Sequence, residues 1–337
     1  MRLLLIGGSG FIGVHVVAEL ARRGHEVGIL GRGRQAPGAA HMIVGDRKRL
    51  GDSRDAIVRF APEVVVDLIA SSGAQARQLV DVVRDVARRT VVVSSMDVYR
   101  ACGVFHQLEP GPLEPLPLTE GATLRSVLRT YPPQQVAALQ PLFGWLDDDY
   151  DKITVEQVVR ELDATVLRLP MVYGPGDLLR RLQPVVKRIA DGRRALVFAA
   201  SFAAWRGSRG YVEDVARAIA LAATSDAATG RTYNVAELDA PSELGWAQRV
   251  GAQMGWDGEL VVLPDERTPN HLRRPGNAAQ DWVVDSTRIR AELGYAEVVD
   301  RDDALARTIA WERETPARGF APHVFDYAAE DAALASR

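Results

Sequence analysis

The chain has 337 residues, 47% of them apolar and 25% charged, a globular composition that excludes a disordered, collagenous or coiled-coil protein. Its formal net charge is -3, so no global basic field draws it to DNA or to an anionic membrane. The single cysteine, Cys102, excludes an internal disulfide framework and a multi-cysteine metal site.

In chain order, residues 2–6 read as a buried strand. The apolar run ends at Gly7-Gly8, too short for a signal core, and no segment approaches the roughly 20 apolar residues of a membrane helix. A soluble, cytoplasmic protein is expected. A helix is expected over 10–23, strands over 26–30, 41–44 and 63–69, a helix over 74–89 and a strand over 90–94. In the 74–89 helix, Leu79, Val82, Val83 and Val86 recur at helical spacing. Near-continuous Val/Ile/Leu strands alternating with helices predict an α/β fold, a doubly wound parallel sheet of the Rossmann type. Residues 103–146 carry Pro110, Pro112, Pro115, Pro117, Pro132, Pro133 and Pro141 and read as a loop-rich insertion with a helix near 124–129. A helix over 148–162 and a strand over 165–169 follow. Beyond Pro170, helices near 177–190, 213–223, 242–254 and 286–293 mix with short strands such as 260–263.

Gly7, Gly10 and Gly13 form G-x-x-G-x-x-G between the first strand and the first helix. Positive φ and missing Cβ atoms there let a pyrophosphate approach backbone N–H groups at a helix N-terminus. The organisation expected is a dinucleotide-binding Rossmann domain over 1–175, to which 205–237 returns. A smaller C-terminal substrate lobe spans 176–204 and 238–317, and a tail spans 318–337.

The run Gly7-Gly8-Ser9-Gly10-Phe11-Ile12-Gly13 resembles the fingerprint of the extended short-chain dehydrogenase/reductase superfamily, the branch of NAD-dependent epimerases and dehydratases. The resemblance continues through Ser94-Ser95-Met96-Asp97-Val98-Tyr99, Leu167–Gly176, Tyr211–Ala216 and Tyr233-Asn234-Val235. It implies a cofactor set of Gly7, Ser9, Gly10, Phe11, Ile12, Gly13, Asp46, Ala70, Lys152 and Pro170, with Asp46 on the adenine. An acidic residue after the second strand would bind ribose hydroxyls and repel a 2′-phosphate. This chain has Gly31, Arg32 and Arg34 there, and paired guanidiniums favour NADP over NAD.

The resemblance also implies a Ser, a Tyr and a Lys as proton-transfer machinery, with Tyr and Lys spaced Y-x-x-x-K on one helix face. Ser95 matches the serine and Lys152, in Lys152-Ile153-Thr154-Val155-Glu156, the lysine. Of 41 basic side chains only Lys48, Lys152 and Lys187 are lysine, which makes that match more telling. The tyrosine position, however, is Asp148. Tyr150 is the nearest phenol, and on an ideal helix it points about 200° away from Lys152. Either Asp148 acts as a base beside Lys152, or the helix begins irregularly and Tyr150 serves. This departure is similar to atypical members that include chloroplast stem-loop-binding proteins. A negative net charge and the lack of an aromatic-studded basic stripe argue against RNA binding.

On the substrate side, Met171 occupies the position of the nucleotide-sugar enzymes' asparagine. Arg209 and Arg274 resemble their two diphosphate-binding arginines. A nucleotide sugar or related hydroxyl compound is therefore the expected substrate, and a homodimer is left open. The six histidines show no metal-ligand spacing, and Trp205 is the tryptophan to place first. Two readings stand. One is an NAD(P)-dependent oxidoreductase or epimerase/dehydratase. The other is an NAD(P)-binding regulatory or RNA-associated protein that has lost turnover.

Overall fold

The computed structural model describes residues 1–33, 38, 40–315 and 324–336. Its strands are β1 (Arg2–Ile6), β2 (Glu26–Gly31), β3 (His41–Val44), β4 (Val64–Asp67), β5 (Arg89–Ser95), β6 (Thr165–Leu169), β7 (Met171–Tyr173), β8 (Ala195–Ala199), β9 (Arg209–Tyr211), β10 (Thr232–Asn234) and β11 (Glu259–Leu263). Among the described residues they form a seven-stranded sheet of order β10-β6-β5-β4-β1-β2-β3 and two two-stranded sheets, β11-β8 and β7-β9. Every pairing in the large sheet is parallel.

Its helices are α1 (Phe11–Arg22), α2 (Arg54–Phe60), α3 (Gly73–Val83), α4 (Arg100–Phe105), α5 (Pro133–Leu139), α6 (Lys152–Val159), α7 (Gln183–Ala190), α8 (Ala200–Ala203), α9 (Val212–Thr224), α10 (Glu243–Gln253), α11 (Thr287–Leu293), α12 (Arg301–Glu314) and α13 (Tyr327–Ala335). Both faces of the sheet are covered. Leu3, Leu5, Val64 and Val66 point into one core with α1 and α9; Leu4, Ile6 and Val65 point into the other with α3 and α6. The alternation of side chains along each strand splits one apolar run between two cores, which is why the runs carry no polar face. Among the described residues no helix is long and apolar enough to cross a membrane.

Several predicted boundaries move, each for a local reason. The strand expected over 63–69 ends at Asp67, whose side chain accepts the N–H groups of Ile69 and Ala70 and turns the chain. The helix expected near 124–129 does not form. There the Arg125 guanidinium donates to the carbonyls of Asp97, Val127 and Leu128 and holds the segment as an open loop. Instead α4 runs into the start of the insertion and α5 lies within it. The helix expected from 177 starts at Gln183, because Arg180 takes a φ of 48° and Asp177 caps the turn through the N–H groups of Leu179 and Arg181. The helix expected from 148 starts at Lys152. Asp151 is its N-cap, accepting from the N–H groups of Ile153 and Thr154.

Candidate active site and cofactor crevice

The carboxyl ends of β1, β4 and β5 lie side by side, with Ile6 paired to Asp67 and Asp67 to Val92. That edge is where a doubly wound sheet binds its ligands. Gly7 has a φ of 91°, and a Cβ on it would sit 2.8 Å from Ile69 Cγ2. A Cβ on Gly13 would sit 2.3 Å from the Gly7 carbonyl oxygen and 2.7 Å from Gly8. Only glycine permits so close a crossing of turn and helix. Gly10 is exposed, caps α1 with no side-chain bond and would bring a Cβ near only the Gly7 oxygen, at 3.3 Å. The α1 N-terminus thus presents bare backbone to the crevice, as a pyrophosphate requires. Phe11 packs beside Gly176. Ile12 packs on the core below, Ser9 is half-buried at the turn, and Pro170 lies against Gly210.

Lys152 is the first residue of α6 and is 5% exposed. Its Nζ donates to the Ala70 carbonyl at 2.5 Å and the Val93 carbonyl at 3.0 Å, on the ends of β4 and β5. An ammonium has three donors, so one hydrogen remains for the crevice. Burial pushes its pKa down to about 8, opposed by the nearby carboxylates of Asp97, Asp67 and Glu156. Glu156 does not pair with Lys152 on a surface. It is buried, accepts two bonds from Arg168 at 3.0 and 2.7 Å, and accepts the Ser94 hydroxyl at 2.6 Å.

Asp148 and Tyr150 are separated by the structure. Residues 148–150 precede the helix, so the helix-face relation of position 148 to Lys152 does not exist. Asp148 is exposed and accepts from Gln140 Nε2 at 2.7 Å. Tyr150 points the other way and donates its hydroxyl to Asp97 Oδ2 at 2.8 Å. Ser95, at the end of β5, accepts the Asp97 N–H at 3.2 Å through its Oγ and so stands on the same turn.

Asp97 is the group that sequence reasoning passed over, although it lies two residues after Ser95 in the quoted motif. It is 3% exposed. Desolvation raises its pKa, against the pull of Arg125, whose Nη2 lies 3.8 Å from Oδ1. A second phenol, Tyr131 from the insertion, reaches Oδ2 at 3.5 Å and packs on the Tyr150 ring at 5.7 Å. Burial and the Asp97 charge push both phenols well above their ordinary pKa. A bare phenolate is therefore disfavoured at either position.

Around the crevice, Arg32 is exposed and its guanidinium lies over Gly144; Arg34 lies outside the described residues. Asp46 caps the turn after β3 by accepting the Lys48 N–H at 2.9 Å. On the substrate side, Arg209 is buried, pairs with Glu243 at 2.5 Å and stacks 4.4 Å over Trp246; its Nε and Nη1 lack hydrogen-bond partners. Arg274 lies 4.6 Å over the Phe202 ring. Met171 is half-buried, and its Cε lies 2.5 Å from where a Gly207 Cβ would be. Trp205 is core: it donates to the Gln280 carbonyl at 2.9 Å and stacks on Phe202.

The model of the NAD dependent epimerase/dehydratase family matches residues 3–117 and 149–236. The chain belongs to that family. It is thereby a member of the extended short-chain dehydrogenase/reductase superfamily, and the cradle fits the family's NAD(P) cofactor. The family match leaves out residues 118–148, most of the proline-rich insertion. A dTDP-glucose 4,6-dehydratase of Streptomyces antibioticus is 28% identical over 94% of this chain and 94% of its own. One from Streptomyces griseus is 33% identical over 44% of this chain, which spans only 43% of that protein's length. UDP-glucose 4-epimerase from Thermotoga maritima, solved with UDP-glucose, superposes with a TM-score of 0.66 at 20% identity, covering 93% of this chain and 99% of that one. This last likeness concerns the fold.

Proposed function

We propose that the protein is an NADP-dependent epimerase or dehydratase acting on a nucleotide sugar, with Tyr150 and Asp97 as its proton-transfer pair. The observation that carries this reading is the 2.8 Å bond from the Tyr150 hydroxyl to Asp97, beside Ser95 and the Lys152 ammonium at one sheet edge. The names of the dTDP-glucose dehydratase relatives, and the epimerase solved with UDP-glucose, support a nucleotide sugar.

The Gly7–Gly13 turn and the α1 N-terminus would hold the pyrophosphate, Lys152 the ribose beside the nicotinamide, and Arg32 a 2′-phosphate. When bound, the nicotinamide supplies hydride exchange with a hydroxyl-bearing carbon. Ser95 holds the substrate oxygen by a hydrogen bond. Tyr150 takes the proton from that oxygen while passing its own to Asp97, so no free phenolate has to form. Asp148 has no part in this, being exposed and turned to Gln140.

The test is incubation with NAD⁺ or NADP⁺ and a panel of dTDP- and UDP-sugars. Mass spectrometry reads loss of water and proton NMR reads inversion. Tyr150→Phe is expected to lower kcat by about 100-fold or more with cofactor affinity kept. Full activity in Tyr150→Phe overturns the assignment. Arg32→Ala is expected to weaken NADP⁺ binding about tenfold and leave NAD⁺ binding unchanged. Equal effects on both overturn the preference.

A further inference from the structure

We propose that the buried Arg47–Asp67 ion pair is a positioning device for Lys152: it grips the turn after β4, Asp67 through the Ala70 N–H and Arg47 through Gln75, so that the Ala70 carbonyl is presented to the Lys152 ammonium. The inference rests on the reading above, in which Lys152 holds the cofactor ribose.

The three segments are far apart in the chain and meet under the crevice floor. Arg47 follows β3, Asp67 ends β4 and Lys152 opens α6. The Arg47 and Asp67 side chains are 3% and 0% exposed, and Arg47 Nη2 lies 2.7 Å from Asp67 Oδ2. The same Nη2 also donates to the Gln75 carbonyl at 2.8 Å, on α3. The other Asp67 oxygen, Oδ1, accepts the Ile69 N–H at 3.0 Å and the Ala70 N–H at 2.9 Å. Asp67 thus holds the Ile69–Ala70 peptide, and the Ser71 N–H of the following peptide donates to Gln75 Oε1 at 2.8 Å. On that following peptide the Ala70 carbonyl receives Lys152 Nζ at 2.5 Å. Rotation of either peptide would withdraw the acceptor that fixes the ammonium.

The pair is poorly built for stability alone. A buried ion pair at best breaks even against apolar side chains of equal volume. Here Arg47 Nε and Nη1 and Asp67 Oδ2 are buried with no hydrogen-bond partner, so the 2.7 Å contact is a charge pair without a hydrogen bond, a further cost. What the pair does supply is placement and field. The charges facing Lys152 are Asp97, Asp67 and Glu156 of opposite sign and Arg47 of like sign. Asp97 acts most strongly, followed by Asp67, and Arg47 opposes both, so the two members of the pair contribute to the field at Lys152 with opposite signs.

The opposed signs provide a test that needs neither cofactor nor substrate. The full chain has three lysines, so protein labelled with [13Cε]lysine gives three side-chain signals, and Lys152→Arg assigns one of them. Asp67→Asn keeps an oxygen for the two N–H groups but removes the charge. It is expected to move the Lys152 titration down by about half a pH unit or more. Arg47→Met leaves Asp67 uncompensated and is expected to move it up by a similar amount. Lys48 and Lys187 should not move. Mere loosening of the fold would expose Lys152 and move it up in both variants, which overturns the proposal, as does no movement in either. In the unmodified protein, the Ala70 amide is expected to be protected from hydrogen exchange, and rapid exchange there overturns it independently. Opposite shifts in a protein that turns over no nucleotide sugar would keep the positioning role and remove the enzymatic reading. Turnover without the shifts would do the reverse.

Discussion

At the scale of single residues, the phenol and the lysine are both held in ways that spacing alone misstates. Tyr150 sits two positions before Lys152 and reaches the crevice because the chain is not helical there, whereas Asp148 faces solvent. Asp148→Asn is therefore expected to leave kcat within about twofold of the native value, in a steady-state assay on whichever sugar is turned over. Lys152 carries a pH signature of its own. Its folded value of about 8 lies below the ordinary lysine value of 10.5, so between these values the unfolded chain binds more protons than the folded one. Stability from this group accordingly rises as pH goes from about 8 to about 10.5, by up to about 3 kcal/mol over the full interval. Urea melts at pH 7.5 and pH 10 should show that rise in the native chain relative to Lys152→Met, and a Lys152→Met chain with the same slope would contradict it.

At the scale of an element, the glycine turn and α1 separate two roles that one motif merges. A Cβ at Gly13 would meet the backbone of Gly7 and Gly8, which cannot yield as a flexible side chain does. Gly13→Ala is expected to cost roughly 3 kcal/mol in thermal or urea unfolding. Gly10 has a φ of -83° and an almost open surround, so Gly10→Ala should melt within about 2 °C of the native chain. Its methyl would nevertheless stand in the anion cradle, and calorimetry is expected to show dinucleotide affinity reduced about tenfold or more. Equal damage to folding by both substitutions would refute this division.

At the scale of the whole molecule, α13 brings the end of the chain back to the lobe built on β8 and β11. Glu330 is 0% exposed and receives Arg188 Nη2 at 2.6 Å and His271 at 2.9 Å, while Ala333 packs with Val197, Val261 and Leu263. Removing one partner of a buried ion pair leaves an uncompensated charge, so Glu330→Ala is expected to cost about 3–5 kcal/mol in urea unfolding. Asp331, mostly exposed beside Arg193, is the control: Asp331→Ala should leave the midpoint unchanged.

The apolar runs, the glycine spacing and the scarcity of lysine are local properties. From them the sequence by itself determined the doubly wound sheet, the dinucleotide turn and the standing of Ser95 and Lys152 as candidates. Local pattern is enough where strand burial on both faces demands unbroken Val, Ile and Leu, and where only glycine fits a backbone crossing. Only the tertiary structure turned Asp148 to Gln140 and Tyr150 to Asp97, because the start of α6 is set by the Asp151 cap and not by a periodic pattern. It alone joined Tyr150 to Asp97, Arg125 of the insertion to Asp97, and Arg47 through Asp67 and Ala70 to Lys152. Such partners lie tens of residues apart, and burial chooses them by removing water as the alternative partner, a choice that no spacing along the chain encodes.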